Sequence, residues 1–133
     1  MPHLSFDYDA ELASLVDMNG LCAALRDALV ASGHFPLGGI RVRGHAADCH
    51  AIADGAAGHH FLDMVLRIGP GRGDAVHQGV LHALYDVARG HIEPRLGGEH
   101  CALSLELREF DPQRQRKDWN TVHAALKSGG TGP

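Results

Sequence analysis

No apolar run in this chain approaches the roughly 18 residues that a membrane-spanning helix needs, which excludes a spanning role. The first residues have neither the basic nor the apolar region of a secretory signal. Cysteine is scarce. Cys22, Cys49 and Cys101 are odd in number and far apart, so reduced thiols in the cytoplasm are expected rather than a disulfide framework. An excess of positive charge is missing too. Twelve Lys and Arg against 16 Asp and Glu give a formal net charge of −4, which argues against general nucleic-acid binding. An anionic small molecule would need arginines gathered at one place.

Several familiar chemistries also lack their residues. Gly69-Pro70-Gly71-Arg72-Gly73 has the glycines of a phosphate cradle without its spacing or its Lys-Ser/Thr ending. Eleven histidines invite a metal, especially His45, Asp48, Cys49, His50 and the pair His59-His60, yet none follows a zinc spacing, and solvated loop positions are expected. Glu106 and Glu109 fall on opposite faces of their strand, so they form no carboxylate pair. No convincing Ser/His/Asp arrangement is visible.

What is present is a pattern that occurs twice. Leu4, Phe6 and Tyr8 alternate with Ser5 and Asp7, which predicts a strand running from Pro2. A polar connection over residues 9–14 follows. Asp17 or Asn19 can then cap a helix to about Ser32, with Leu21, Leu25, Ala28 and Leu29 on one face and Gly33 as the stop. Ile40-Arg41-Val42-Arg43 predicts a second strand, parallel to the first, with Arg41 and Arg43 on one face, and the pattern of residues 45–52 fits either its continuation or a hairpin. The cycle restarts with a strand over residues 61–68, a helix capped by Asp74 and carrying Val76, Val80, Leu84, Val87 and Ala88, and a strand over residues 102–110. Two fused β-α-β halves, about 2–47 and 60–110, give a four-stranded mixed sheet with both helices on one face. Residues 111–127 read as a polar C-terminal arm and 128–133 as a flexible tail on a single domain, 1–127. The second face of the sheet is expected to be apolar and to be covered by a homo-oligomer.

Chemistry points to Pro2, Arg41, Arg43 and Arg72. Proline after the initiator methionine normally allows Met1 to be removed, leaving a secondary amine at the head of a strand. A free α-amino group titrates at about 7.7–8.0 and can act as a base near neutrality. Arginine's planar fork matches a carboxylate with two parallel hydrogen bonds. Arg41 and Arg72 sit beside glycine-rich turns and are equally readable as functional or structural, whereas Arg43 is more readily half of a surface salt bridge.

The blocks Met1-Pro2-His3, Phe35-Pro36-Leu37-Gly38-Gly39-Ile40-Arg41, Ile52-Ala53-Asp54-Gly55, Leu66-Arg67-Ile68-Gly69-Pro70-Gly71-Arg72, Ala102-Leu103-Ser104-Leu105-Glu106 and Asn120-Thr121-Val122-His123-Ala124 resemble, in that order, the 5-carboxymethyl-2-hydroxymuconate isomerases of the tautomerase superfamily. The resemblance runs over nearly all of residues 2–127. It implies an α+β fold of fused β-α-β repeats, a homotrimer and no cofactor. It also implies a cytoplasmic isomerase acting on a small carboxylate enol in 4-hydroxyphenylacetate catabolism, with an N-terminal proline as general acid/base. By position Pro2 matches that proline, and Arg41 and Arg72 match arginines that engage carboxylate and carbonyl oxygens. Asp63 stands where the family usually has histidine, and Thr121 replaces the second asparagine of an Asn-Asn-Val-His ending. The same residues leave open a related tautomerase acting on another 2-hydroxymuconate-type enol, or a non-catalytic oligomeric binding module.

Overall fold

The computed structural model describes residues 1–129. Strand β1 (His3–Asp9) leads through a 3-10 turn (Ala10–Ser14) to helix α1 (Met18–Ser32), and a second turn (Leu37–Gly39) leads to β2 (Arg41–Ala47). The second half repeats this with β3 (His59–Ile68), α2 (Asp74–Ile92) and β4 (His100–Glu109). A third helix, α3 (Thr121–Gly129), follows. The sheet order is β2-β1-β3-β4, with β1 and β2 parallel, β3 and β4 parallel, and β1 and β3 antiparallel. The fold is therefore the expected α+β arrangement of two β-α-β units about a mixed sheet.

The strands' alternation decides what they bury. Leu4 and Phe6 of β1 and Leu62, Met64, Leu66 and Ile68 of β3 point to one side and are at most 1% exposed. Against them pack Leu21, Leu25 and Leu29 of α1 and Val80, Leu84, Ala88 and Ile92 of α2, all in one cluster. Complete burial of a Leu or Phe side chain contributes about 1.5–3 kcal/mol, so this shared core joins the halves. Asp17 caps α1 by accepting from Gly20 N–H at 3.1 Å, and Gly33 ends it at φ 75°, a left-handed turn that suits glycine.

Four expectations need correction. Gly73, not Asp74, is the N-cap of α2; Asp74 is its first helical residue, an acid beside the positive end of the helix dipole. β2 continues to Ala47 but forms no hairpin, and residues 48–58 are turns and loop. The tail expected from residue 128 starts inside α3, which follows a 3-10 turn (Pro112–Arg114) in the polar arm, while 130–133 lie outside the described residues. The sheet's second face is not apolar. It is mixed, presenting Arg41, Arg43, His3, Ser5, Asp7, Asp63, Arg67, Ser104, Glu106 and Arg108 beside Phe61, Val65 and Ala102, so apolar area alone does not account for association through it.

Candidate active site

Sheet register brings the candidate residues to one end. β1 starts where β2 starts and β3 finishes, so His3 lies between Arg41 on β2 and Arg67 on β3, and Ser5 lies beside Arg43. Arg41 N–H donates to the Pro2 carbonyl at 3.1 Å, which extends the ladder to Pro2. Pro2 is buried and Met1 half-buried. A Cβ on Gly39 would stand 3.3 Å from the Met1 Cα, so bare backbone at this turn makes room for the chain start.

The guanidinium groups are held by carbonyls. Arg41 donates to Gly39 O at 2.8 Å. Arg72 donates to Gly69 O at 3.3 Å and to His34 O at 2.9 Å, and its guanidinium lies 4.7 Å from the centre of the Phe35 ring. That stacking fixes the plane of the fork. Arg43 makes no salt bridge among the described residues; its Nη1 lies 3.4 Å from His3 Nδ1.

The C-terminal arm closes on the same place. Asn120 donates to Gly38 O at 3.1 Å, and a Cβ on Gly38 would collide with the His123 ring. Asn120 also accepts from the N–H groups of Val122 and His123, at 2.9 and 3.2 Å, and so starts α3. Lys117, three residues earlier, lies 5.4 Å over the Phe110 ring.

These cations shape the titration of their neighbours. Burial, then Lys117, Arg72 and Arg41, lower the Met1 amine below its ordinary 8.0. In this chain the Pro2 nitrogen is an amide, and the Met1 amine stands one residue outward from it. Burial, then Arg67, Arg43, Arg41 and the terminal amine, push His3 down to about 4, so its ring is neutral near pH 7.

Five of the twelve basic residues therefore surround the chain start: Arg41, Arg43, Arg67, Arg72 and Lys117. None has a carboxylate within 4.0 Å among the described residues. Of the other seven, Arg26, Arg89, Arg108, Arg114 and Arg116 each do, while Arg95 and Lys127 do not. In an acidic protein, such a local concentration of positive charge attracts anions.

Sequence reasoning named Pro2, Arg41, Arg43 and Arg72, and the structure brings all four to this end of the sheet. It missed His3, Arg67 and Lys117. Arg67 has the same strand parity as Asp63, but only the β1–β3 register sets it beside His3. Lys117 carried no signal, because nothing in its own segment shows where the arm docks. Asp63, the departure on β3, accepts the Ser104 hydroxyl at 2.6 Å and lies opposite Asp7, away from Arg72. Thr121 opens α3 directly after Asn120. His60 is not a solvated loop residue. It is 3% exposed at the opposite end of β1, between Asp9 and Glu99. Among the described residues no three or more His, Cys, Asp or Glu are grouped to hold a metal ion. No helix there is long and apolar enough to cross a membrane.

Residues 2–126 match the 5-carboxymethyl-2-hydroxymuconate isomerase family. The 5-carboxymethyl-2-hydroxymuconate Delta-isomerase of Escherichia coli is 34% identical over 127 residues, spanning 96% of this chain and all of that protein. The chain belongs to the 5-carboxymethyl-2-hydroxymuconate isomerase family. Like other members of this family it is an isomerase, an intramolecular oxidoreductase that moves a C=C bond. The crystal structure of such an isomerase from Deinococcus radiodurans R1 superposes with a TM-score of 0.86 at 31% identity, covering 94% of this chain and 93% of that one. A fused 4-OT, solved as a symmetric trimer, shares the tautomerase-superfamily fold alone, with a TM-score of 0.69 at 17% identity over 89% of this chain and 95% of that one.

Proposed function

We propose that this isomerase converts 5-carboxymethyl-2-hydroxymuconate, a tricarboxylate dienol, into its conjugated 2-oxo tautomer in the catabolism of 4-hydroxyphenylacetate. The observation that carries the reading is the set of cations around the chain start that lack carboxylate partners. With Met1 removed, the neutral Pro2 amine takes the proton from the 2-hydroxyl. The oxygen's electrons form the carbonyl, the double bonds shift by one position, and the protonated amine returns a proton to the distant carbon. No electron enters or leaves the substrate, so the balance closes with one residue as base and then acid. Arg41 and Arg72 hold a carboxylate and the oxygen on which negative charge develops, and Arg43 meets an outer carboxylate. Low-lying amine pKa supports this role, because more of the group is neutral base at pH 7.

The protein works as a homotrimer in the cytoplasm. Support for the trimer comes from the fused 4-OT, solved as one, and from Leu37, Trp119 and Val122, which are 47%, 88% and 51% exposed. The three unpaired cysteines agree with a reducing compartment. Ketonisation of the tricarboxylate dienol, followed by absorbance beside that of 2-hydroxymuconate, tests the assignment. The expected result is a higher kcat/KM with the carboxymethyl group present. Equal or reversed values would reassign the substrate, and no turnover of either would refute the reading.

A further inference from the structure

Lys117 is the one cation of the site that the two β-α-β halves do not supply. It sits on the arm between two anchors. On one side its ammonium lies over the Phe110 ring at 5.4 Å, and that ring reaches within 3.1 Å of where a Gly69 Cβ would be. Gly69 is the residue whose carbonyl receives Arg72. On the other side Asn120 and His123 fasten the arm to Gly38, next to the glycine that packs on Met1. Arg116 and Asp118, the neighbours of Lys117, bond to each other at 2.9 Å, and Lys117 has no carboxylate partner among the described residues. The arm thus delivers a free positive charge to the rim of the site, on the side of Arg72.

We propose that Lys117 binds a substrate carboxylate remote from the reacting enol, so that the docked arm sets the preference for polycarboxylate over monocarboxylate substrates. The inference rests on the dienol reading above and deepens it. The position explains the choice of residue. The planar arginines are immobilised by carbonyls and a ring, whereas a lysine is a compact charge on a flexible stem and can follow carboxylates placed at different lengths. Its pull on the terminal amine places it within electrostatic reach of the reacting group.

The test compares Lys117→Met, which keeps the stem and removes the charge, with Lys117→Arg and the unaltered chain, all with Met1 removed. The substrates are 2-hydroxypenta-2,4-dienoate with one carboxylate, 2-hydroxymuconate with two, and 5-carboxymethyl-2-hydroxymuconate with three. Assays run at about pH 8.5, above the free amine's range, so that a changed amine pKa does not enter. Lys117→Met is expected to raise KM about tenfold for the di- and tricarboxylate, as loss of a charge-assisted contact should, and to change it several-fold less for the monocarboxylate. Lys117→Arg restores the low KM. An equal effect on all three substrates, or none on any, would overturn the inference while leaving the proline reading intact. A wild-type chain that ketonises none of them takes both down.

Discussion

Arg41 and Arg72 spend some of their donors on backbone carbonyls and keep the rest for solvent. An arginine fixed in this way meets a carboxylate without first losing much side-chain freedom, which is what a binding site requires of it. Arg41→Ala and Arg72→Ala should each remove a charge-assisted contact worth about 1.5–3 kcal/mol, and so lower kcat/KM for the dienol roughly ten- to a hundredfold. Thermal melting should place both variants within a few degrees of the parent, since neither residue belongs to the buried cluster. Unchanged kinetics in both would remove them from the site. At this scale the sequence was informative about residues beside a strand start or a glycine turn. It was silent on Lys117, whose position depends on a docking contact 79 residues away in the chain, between Asn120–His123 and Gly38.

Among the secondary elements, the join between β1 and β3 has a fastener of its own at the end remote from Pro2. His60 Nδ1 is 2.7 Å from Asp9, and Nε2 is 2.8 Å from Glu99. Asp9 also accepts from Phe61 N–H at 2.9 Å and is fully buried. A neutral imidazole has only one N–H, so satisfying both carboxylates requires the charged ring. Burial opposes the charge, but the two hydrogen bonds outweigh it and raise the His60 pKa above 6.5. A raised folded-state pKa gives stability that is fully present below about 6.5 and is lost as pH rises through the folded value. His60→Gln should cost about 3–5 kcal/mol by stranding the buried Asp9, and its stability should not fall with pH over that window. Urea titrations between about pH 6 and 9 check both. A variant as stable as the parent, with the same pH slope, would contradict the account. Cys101 nearby is pushed up to about 11 by burial and Asp9, so it adds its own loss of stability once pH nears the ordinary thiol value of about 8.5, and the His60 slope is read below about pH 8.

His60 also shows what strand pattern could and could not reveal. It shares parity with Leu62 and Met64, so alternation already placed it on the core side, but the doublet His59-His60 looked like loop composition. The two helices and four strands were legible because each has an unambiguous period. Docking of α3 was not, since no feature of its own sequence names the Leu37–Gly39 turn as its partner.

For the whole molecule, the open face of the sheet changes the reason for assembly. It carries a row of Arg41, His3, Arg67 and Arg108 across four strands, with Asp7 and Asp63 further along. Copies that meet through it would pair charge with charge, while Trp119, Val122 and Leu37 offer apolar area at the docked arm. A homotrimer is expected by light scattering at micromolar concentration, and a stable monomer there would count against it. High salt should weaken the trimer if the charged face contributes, because screening shortens the range of such pairs.

The central claim is that the Pro2 amine moves the proton. Burial and the surrounding cations disfavour its charged form, as they do for Met1 in this chain, so activity should persist below the pH at which a free α-amine becomes protonated and decline as pH falls through the lowered value. Pro2→Ala keeps an amine and should retain part of the activity. Retained Met1 or an added N-terminal tag turns the nitrogen into an amide with no useful basicity. The direct measurement is one dienol-to-ketone absorbance assay on three preparations whose N-termini are verified by mass spectrometry: Met1 removed, Met1 retained, and tagged. Turnover confined to the form that begins at Pro2 is the predicted result, and equal turnover in all three would contradict the account.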